Sequence, residues 1–400
     1  MGFLARQVAI AALTANAVRP RTSLRAGIGS FAAGWPAGEL APQLAAVTAA
    51  DALLHLPRAR EHKLGLALAA ASTATLATVI KQSLDVGTVL DDALAHVEGP
   101  LSNAAPLPWR TIARPFKLRD ATLRVVRDVQ YAPWGGRGQL DVYLPPEPVQ
   151  GAPVLLQVHG GAWLIGAKHQ QGLPLIRQMA TKGWVCVAIN YRLAGRDPFP
   201  AQVIDVKRAI TWIKENIADF GGDPGYLAIT GGSAGGHLSS LTALTANDPA
   251  YQPDFEDLDT SVDVAVPHYG VYDLAGATGL PSMLAMRDRF LAPRVMHRSY
   301  EEAPELFEAA SPILRVSPDA PDFFVLHGAR DSLVPVSQAR LFVEELRRVS
   351  RRDVTYAELP GAQHAYEIFN SIRSVHVTRA VDRYLSQHWA KRRAKLTVAA

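Results

Sequence analysis

Residues 226–238, Y-L-A-I-T-G-G-S-A-G-G-H-L, are the feature that most restricts how this chain can fold. An apolar run with strand character at 227–229 leads into two glycines, then Ser233, then an Ala-Gly-Gly sequence that opens a helical pattern. A residue on a sharp strand-to-helix turn adopts a strained backbone conformation, and neighbouring glycines let the helix pack close to the strand. The G-x-S-x-G pattern at 231–235 therefore predicts a serine raised above a sheet edge.

The same turn predicts the electrostatic environment of Ser233. The first N–H groups of a helix have no intrahelical acceptor, so the N–H of Ala234 and the positive end of the helix dipole would face an oxyanion formed at the serine. The pattern also occurs by chance in glycine-rich turns that carry an ordinary serine. The rest of the chain must decide between these two interpretations.

Composition narrows the class of protein. With 400 residues, 48% apolar and 20% charged, the chain can form one large α/β domain with an extension, or two domains. The net charge of +4 does not form one basic stripe, which makes nucleic acid a poor candidate partner. The single cysteine, Cys186, excludes an intrachain disulfide and a cysteine-based metal cluster.

Residues 1–115 differ from the remainder, and we predict that they form an N-terminal helical extension. Helical apolar patterns cover 3–18, 40–56 and 64–80, and the last is a 17-residue run without a charge, at the lower limit of a membrane span. Seven Arg and Lys against three acids before residue 64 suit a membrane surface. They suit a helical prefix docked on the rest of the chain equally well, so localisation stays open between cytoplasmic and membrane- or envelope-associated. A proline-rich stretch at 100–115 resembles a linker.

Residues 116–400 alternate short strand patterns with helical ones, and we predict one further domain there. Strands are expected at 123–126, 140–144, 154–158, 184–189, 227–229, 262–266, 323–326 and 354–359. Such alternation predicts an α/β fold with a mostly parallel, doubly wound sheet, whose sites form at the carboxyl ends of the strands. Residues 274–312 interrupt the alternation and predict an inserted helical cap over the site.

Three more motifs fall at predicted strand ends. His159-Gly160-Gly161-Ala162-Trp163 follows the strand at 154–158, where adjacent glycines can aim N–H groups at a developing oxyanion. Gly160, Gly161 and Ala234 are therefore the candidate oxyanion donors. We interpret the His159 side chain as a brace for this loop, because a better general base lies downstream.

Asp331 and His364 are the candidate partners of Ser233. Asp331 follows the strand at 323–326 and can orient an imidazole, although a helix N-cap is an alternative role. His364 follows the strand at 354–359 and is the expected base. The order Ser233, Asp331, His364 is the order found in hydrolases that carry such a turn.

Other residues near these motifs are weaker candidates. The aromatic side chains of Trp163, Tyr269 and Tyr272 can line a substrate pocket, or they can equally be packing. His237 lies one turn along the helix from Ser233 and is interpreted as core or as support for the site. His268 and Asp273 are second-tier candidates at the end of the strand at 262–266.

Together these motifs resemble the bacterial carboxylesterases and lipases of the hormone-sensitive-lipase-like group, in the α/β-hydrolase superfamily. The resemblance covers about residues 120–390 and rests on six motifs: D-V-Y-L-P at 141–145, H-G-G-A-W at 159–163, N-Y-R-L-A at 190–194, G-G-S-A-G-G-H-L at 231–238, H-G-A-R-D-S-L-V-P at 327–335 and G-A-Q-H at 361–364. It implies an α/β-hydrolase fold with Ser233 as nucleophile, Asp331 and His364 completing a triad, and Gly160, Gly161 and Ala234 as oxyanion donors.

The chain departs from the group's pattern at two positions. The third glycine of the group's H-G-G-G motif is replaced by Ala162, and the residue before the serine, often aspartate in the group, is Gly232. Ala162 should still permit the loop, because its neighbours supply the donors. Gly232 removes a side chain that helps to brace the turn.

We therefore expect a serine carboxylic ester hydrolase that acts through an acyl-enzyme and requires neither metal nor cofactor. The expected substrate is a small-molecule ester with an apolar acyl group, of a chain length that the sequence leaves open, and the N-terminal helices can contact a membrane surface. An amidase, arylformamidase or peptidase of the same fold shares this chemistry and is an alternative. A non-catalytic binding protein held at a membrane is a third reading.

Overall fold

The computed structural model describes residues 1–22 and 24–399. Its centre is an eight-stranded sheet with the order β1-β2-β4-β3-β5-β6-β7-β8. The strands are β1 (Arg124–Gln130), β2 (Gln139–Leu144), β3 (Ala152–Val158), β4 (Val185–Ile189), β5 (Gly222–Gly232), β6 (Val264–His268), β7 (Asp322–Gly328) and β8 (Val354–Leu359). Only β2 runs against both of its neighbours, and β4, β3 and β5 to β8 are parallel. The predicted mostly parallel sheet is confirmed.

Twelve α-helices of the described residues surround this sheet. They are α1 (Phe3–Val18), α2 (Leu24–Glu39), α3 (Ala41–His55), α4 (Lys63–Ala93), α5 (Trp109–Ile112), α6 (Leu173–Thr181), α7 (Ala201–Asn216), α8 (Ala234–Leu244), α9 (Pro281–Met286), α10 (Pro304–Ala309), α11 (Ser337–Val349) and α12 (Ile372–Ala399). A π-helical segment, Arg287–Met296, continues α9. The helices α9 and α10 and this segment lie between β6 and β7, where the helical insertion was expected.

The alternation of apolar residues in β3 shows why helices cover both faces. All seven residues of β3 are buried. Val154 and Leu156 join a core with α7 and α8, whereas Leu155 faces the opposite core with α6 and α12. Successive side chains of a strand point to opposite faces, so a continuous apolar run requires cover on both sides.

The helix α4 is longer than the apolar run at 64–80 that predicted it. Among the described residues it alone is long and apolar enough to cross a membrane, and 28% of its most apolar window is buried inside the protein. Its second half continues as an amphipathic helix whose Val86 and Leu90 lie in the core that contains Leu155. The second half of α4 therefore completes one face of the sheet.

Candidate active site

Ser233 occupies the turn between β5 and α8 in a strained conformation, with φ 59° and ψ −121°. A side chain on Gly231 or Gly235 would collide with the carbonyl oxygen of Val158 on the neighbouring β3. The Ser233 N–H donates to the carbonyl of His268 at 3.0 Å, which ties the turn to the end of β6. Ser233 is half-buried, whereas the residues on either side of it are buried. The turn thus presents the hydroxyl at the carboxyl edge of the sheet.

Asp331 and His364, which follow the adjacent strands β7 and β8, are in direct contact. His364 Nδ1 lies 2.6 Å from Asp331 Oδ2. The other carboxylate oxygen accepts the N–H groups of Leu333 at 2.9 Å and Val334 at 2.8 Å. A carboxylate can only accept, so Nδ1 carries the proton and Nε2 of neutral His364 is left as a proton acceptor.

Asp331 remains ionised although it is buried. Burial would raise the pKa of its carboxyl group, but attraction to the protonated form of His364 and hydrogen bonds from His327 and His364 outweigh burial and lower the pKa below its ordinary value. His327 Nε2 lies 3.4 Å from Asp331 Oδ2 and donates to the Val334 carbonyl at 2.9 Å. The site therefore holds a fixed negative charge behind the His364 ring.

The three candidate oxyanion donors differ in their surroundings. Ala234 opens α8, so its N–H has no acceptor within the helix. Gly161 has φ 117°, a conformation that favours glycine, and Ala162 adopts a left-handed φ of 55°. The N–H of Gly160 donates to Gln171 Oε1 at 2.7 Å. Gln171 precedes α6 and belongs to no motif, which is why sequence analysis did not select it.

Trp163 and Tyr272, the candidate pocket residues, are packed inside the protein. Trp163 is 2% exposed, and its indole N–H donates to His237 at 3.1 Å. Tyr272 is fully buried and stacks on Phe342 with 4.2 Å between ring centroids. His237 also bonds the Ala310 carbonyl at 2.8 Å, and burial lowers its pKa to about 4. Both aromatic side chains are therefore buried against other side chains of the protein.

His159, His268 and Asp273 are also buried, and each contacts other groups of the protein. His159 stacks on Tyr191, with 4.2 Å between ring centroids, and burial lowers its pKa to about 4. Its Nδ1 lies 2.7 Å from the carbonyl oxygen of Gly160. His268 contacts the Tyr366 hydroxyl at 3.1 Å, and burial lowers its pKa to about 3. Asp273 accepts three hydrogen bonds from Ala277 and Thr278.

The helix α2 of the N-terminal extension covers the loops that carry Asp331 and His364. The Phe31 ring meets the His364 ring edge-on, with centroids 5.9 Å apart. Trp35 donates its indole N–H to the Ala365 carbonyl at 2.8 Å, and the Ser332 hydroxyl donates to the Gly27 carbonyl at 3.1 Å. One wall of the site thus comes from a part of the chain in which no catalytic motif was found.

A buried ion pair secures the C-terminal end of α2. Arg373 Nη1 lies 2.7 Å from Glu39 Oε1, and both side chains are almost completely buried. The Ser371 hydroxyl donates to the other oxygen of Glu39 at 2.7 Å. These contacts fix α2 to the start of α12, directly after the His364 loop. Within residues 1–22 and 24–399, no group of three or more His, Cys, Asp or Glu is arranged to hold a metal ion.

Comparison with known proteins places this chain in a family. The profile of the BD-FAE family matches residues 140–346, slightly more than half of the chain. "Probable carboxylic ester hydrolase LipM" of Mycobacterium tuberculosis is 42% identical over 98% of this chain and 95% of its own length. "Esterase LipQ" of the same organism is 49% identical over 66% of this chain, a match that spans 63% of LipQ.

Solved structures share the fold. A truncated carbohydrate esterase from gut microbiota is 25% identical, with a TM-score of 0.57 over 68% of this chain and 98% of that one. The esterase Est2 of Thermogutta terrifontis, 22% identical with a TM-score of 0.54 over 68% of this chain and 94% of that one, supports the fold alone. The chain therefore belongs to the BD-FAE family of α/β-hydrolases and is a carboxylesterase of the bacterial hormone-sensitive-lipase-like group.

Proposed function

We propose that Ser233, His364 and Asp331 form the triad that hydrolyses carboxylic esters in this protein. The observation that carries the proposal is the 2.6 Å contact between His364 Nδ1 and Asp331 Oδ2, made by loops at the same sheet edge as the strained Ser233 turn. A nucleophile on such a turn and a base oriented by a buried carboxylate are the parts that acyl transfer requires.

The reaction then proceeds in two halves. His364 Nε2 takes the proton of the Ser233 hydroxyl as the oxygen attacks the ester carbonyl, and Asp331 stabilises the imidazolium. The protonated His364 next gives its proton to the leaving alcohol, which leaves an acyl group on Ser233. A water molecule, activated by the same imidazole, attacks the acyl-enzyme and releases the carboxylic acid.

The oxyanion of each tetrahedral intermediate is assigned to backbone N–H groups. Ala234 at the start of α8 and Gly161 in the loop after β3 are the primary donors. Gly160 contributes once its N–H is released from Gln171 Oε1, which accepts it at 2.7 Å.

The substrate is proposed to be a small ester with an apolar acyl group. Phe31 lies against the base, and Ile165, which is 69% exposed, follows the loop of the oxyanion donors. Apolar side chains on these two sides favour an alkyl chain over a charged group, because burying a charge without a partner is costly.

The test is a series of initial rates on p-nitrophenyl esters from acetyl to palmitoyl, with Ser233→Ala measured alongside. We expect Ser233→Ala to lose about 10³-fold or more in kcat on every ester that the wild type hydrolyses. Ser240→Ala is the matched control, because Ser240 lies on the same helix and donates only to the Gly236 carbonyl, at 2.8 Å. Undiminished turnover by Ser233→Ala would refute the assignment.

We also propose that one end of the N-terminal extension contacts an anionic membrane surface. The Phe3 ring stacks on His55 at 4.1 Å and meets His62 at 5.4 Å, which joins the start of α1 to the end of α3 and the start of α4. Exposed leucines and cations share this end, which we name the apolar tip: Leu4, Leu53, Leu54, Leu56, Leu64, Arg58, Arg60 and Lys63.

This combination is typical of surfaces that lie in the membrane interface. Leu54 is 78% exposed and Leu53 is 67% exposed, so the leucines gain apolar burial only by contact outside the described chain. The neighbouring cations Arg58, Arg60 and Lys63 would meet anionic headgroups, a contact worth about 1 kcal/mol for each basic residue near the surface.

Sedimentation with vesicles tests this contact. Wild-type protein is expected to pellet with phosphatidylglycerol-containing vesicles more than with phosphatidylcholine vesicles, and the variant Leu54→Ser/Arg58→Glu should remain in the supernatant. Leu258→Ser, at a 41% exposed leucine outside the extension, is the control. Equal pelleting of the tip variant and the wild type would contradict the proposal.

A further inference from the structure

The space beside Gly232, the residue before the nucleophile, is filled by a tyrosine from another strand. A Cβ on Gly232 would collide with the hydroxyl oxygen of Tyr269 and would lie 2.6 Å from its Cζ atom. Tyr269 directly follows β6 and is 1% exposed. Glycine at position 232 is therefore required by Tyr269, and the bracing side chain that Gly232 lacks is replaced from outside the turn.

Tyr269 contacts both halves of the proposed triad region. Its ring lies 4.4 Å from the His364 ring, measured between centroids. The preceding residue, His268, accepts the Ser233 N–H at 3.0 Å, and the Tyr269 N–H donates to the Leu326 carbonyl of β7 at 2.7 Å. A rotation of the Tyr269 side chain would therefore disturb the serine turn and the imidazole together.

The Tyr269 hydroxyl donates to Glu367, three residues after His364. Glu367 is 4% exposed, and its second carboxylate oxygen has no hydrogen-bond partner among the described residues. Neither Asp331 nor the oxyanion donors use this carboxylate. A buried acid with one unpaired oxygen is costly and calls for an explanation.

We propose that Tyr269 and Glu367 are positioning residues that couple the Ser233 turn to the His364 loop and place a second acid behind the catalytic imidazole. Tyr269 fills the space beside Gly232 and supports one face of His364, while Glu367 fixes the orientation of the tyrosine. The inference rests on the proposed function, since it concerns how Ser233 and His364 are kept in position relative to each other.

The charge of Glu367 depends on its surroundings. Burial raises its pKa to about 7, although the hydrogen bond from Tyr269 and the charge of His364 act in the opposite direction. The titratable and charged groups around the pair are Glu39 on α2, His268 at the end of β6, Asp331 after β7, and His364 and Tyr366 on the last loop. Two of these have charged or titratable partners of their own: His327 within β7 contacts Asp331, and Arg373 on α12 contacts Glu39.

A negative Glu367 stabilises the imidazolium of His364, and this gives the direction of the pH effect. The acidic limb of kcat/KM reports protonation of the base in the free enzyme. With Glu367→Gln, that limb should move to lower pH by about half a unit and titrate as a single group, because two coupled ionisations become one.

Removal of the tyrosine hydroxyl is the first test. Tyr269→Phe should lower kcat about tenfold with KM changed by less than about twofold, since the loss affects orientation of the reacting groups rather than substrate contact. Rates are divided by the number of sites that a fluorophosphonate titrates, so an unfolded fraction does not affect the result. Tyr366→Phe is the matched control, because Tyr366 is equally buried and its hydroxyl contacts His268 at 3.1 Å instead of Gly232.

The double variant Tyr269→Phe/Glu367→Gln measures the coupling. Its loss in kcat should be smaller than the product of the two single losses, because each single variant already breaks the shared contact. The inference would be overturned if Tyr269→Phe and Glu367→Gln each had the same kcat as Tyr366→Phe and the same acidic limb of kcat/KM. Failure of the proposed function is distinguishable, because it requires an inactive wild type or an active Ser233→Ala.

Discussion

The strand-end loops and the N-terminal helices meet at His364, yet they are encoded in different ways. Each loop carries a short motif directly after a strand, and the turn at Ser233 is specified within five residues. The helix α2 reaches the same place through contacts such as that between Trp35 and Ala365, which are 330 residues apart. One region carries the proposed reacting groups, and the other packs against the loops that hold them.

An extension without motifs can thus pack directly against a candidate catalytic residue. The N-terminal third offers two different surfaces. On α2, Phe31 meets His364 and Glu39 pairs with Arg373 of α12, whereas the leucines of the apolar tip are exposed. The sequence left two interpretations of the extension open, docking on the enzyme and contact with a membrane. Each can apply to a different part of the extension: docking to α2, and membrane contact to the apolar tip.

The largest expected effect belongs to the loops. Asp331→Asn should lower kcat by about 10³- to 10⁴-fold, because the amide favours the wrong tautomer of His364 and cannot stabilise its charged form. Initial rates on the best p-nitrophenyl ester measure it. Asp273→Asn is the control and should retain most activity, because the buried Asp273 carboxylate accepts hydrogen bonds from Ala277 and Thr278. A loss in kcat of less than tenfold in Asp331→Asn would contradict the assignment of Asp331 to the triad.

The next largest effect is expected on stability, from the buried ion pair that joins α2 to α12. Glu39→Gln leaves Arg373 buried without its counter-charge and should lower the free energy of unfolding by about 3 kcal/mol. Urea denaturation gives the value. Lys81→Gln removes an exposed pair with Asp85, at 2.7 Å, and should change stability by less than about 0.5 kcal/mol. Equal effects in the two variants would show that α2 does not depend on its buried anchor.

The loss of folding stability in acid should arise from buried histidines near the carboxyl ends of the strands. His159, His237 and His268 are neutral in the folded protein, with pKa values lowered by burial to about 4, 4 and 3. Below about pH 6.5 the unfolded chain protonates these histidines and the folded chain does not, so stability falls as pH decreases from 6.5 toward 4. Each histidine contributes at most about 1.4 kcal/mol per pH unit in that window.

Urea denaturation at a series of pH values measures this slope. His159→Gln should give a shallower loss of stability between pH 6.5 and 4 than the wild type, because one protonation difference is removed. His62→Gln, in the N-terminal extension, is the control for a histidine that is only partly buried. A slope unchanged in His159→Gln would place the acid sensitivity elsewhere.

The smallest effect tests the wall that α2 provides. Phe31→Ala removes the ring that meets His364 at 5.9 Å and should raise KM about three- to tenfold for medium-chain esters, since apolar contact area is lost. Ile28→Ala is the matched control, because Ile28 lies on the same helix and is 68% exposed. An acyl-chain profile identical to that of the wild type would remove Phe31 from the substrate pocket.

Much of the fold was predictable because its signals are local. Strand patterns and the turn at Ser233 depend on neighbouring residues, and parallel strands bring their carboxyl ends to one edge, which is why Asp331 and His364 meet. The roles of Gln171 and Glu367 were not predictable. A lone glutamine or glutamate has no characteristic spacing, and its partners, Gly160 and Tyr269, are determined only by the folded arrangement of distant segments.

The aromatic residues were ambiguous for a related reason. Trp163, Tyr269 and Tyr272 all follow strand ends, where the sequence suits either a pocket wall or packing. The structure separates them by direction: Trp163 points toward His237, Tyr272 toward Phe342 and Tyr269 toward His364. Sequence periodicity assigns a residue to a strand end but does not give the direction of its side chain in an irregular loop.

The anchoring of α2 has a consequence for biosynthesis. Glu39 is translated early and Arg373 late. The ion pair that anchors α2 can therefore form only after the more than three hundred residues between them have been translated. During that interval the leading helices lack the sheet and the C-terminal helix against which they pack in the folded protein. The histidine loop acquires its final support only near the end of translation, and catalytic competence arrives late in the life of the nascent chain.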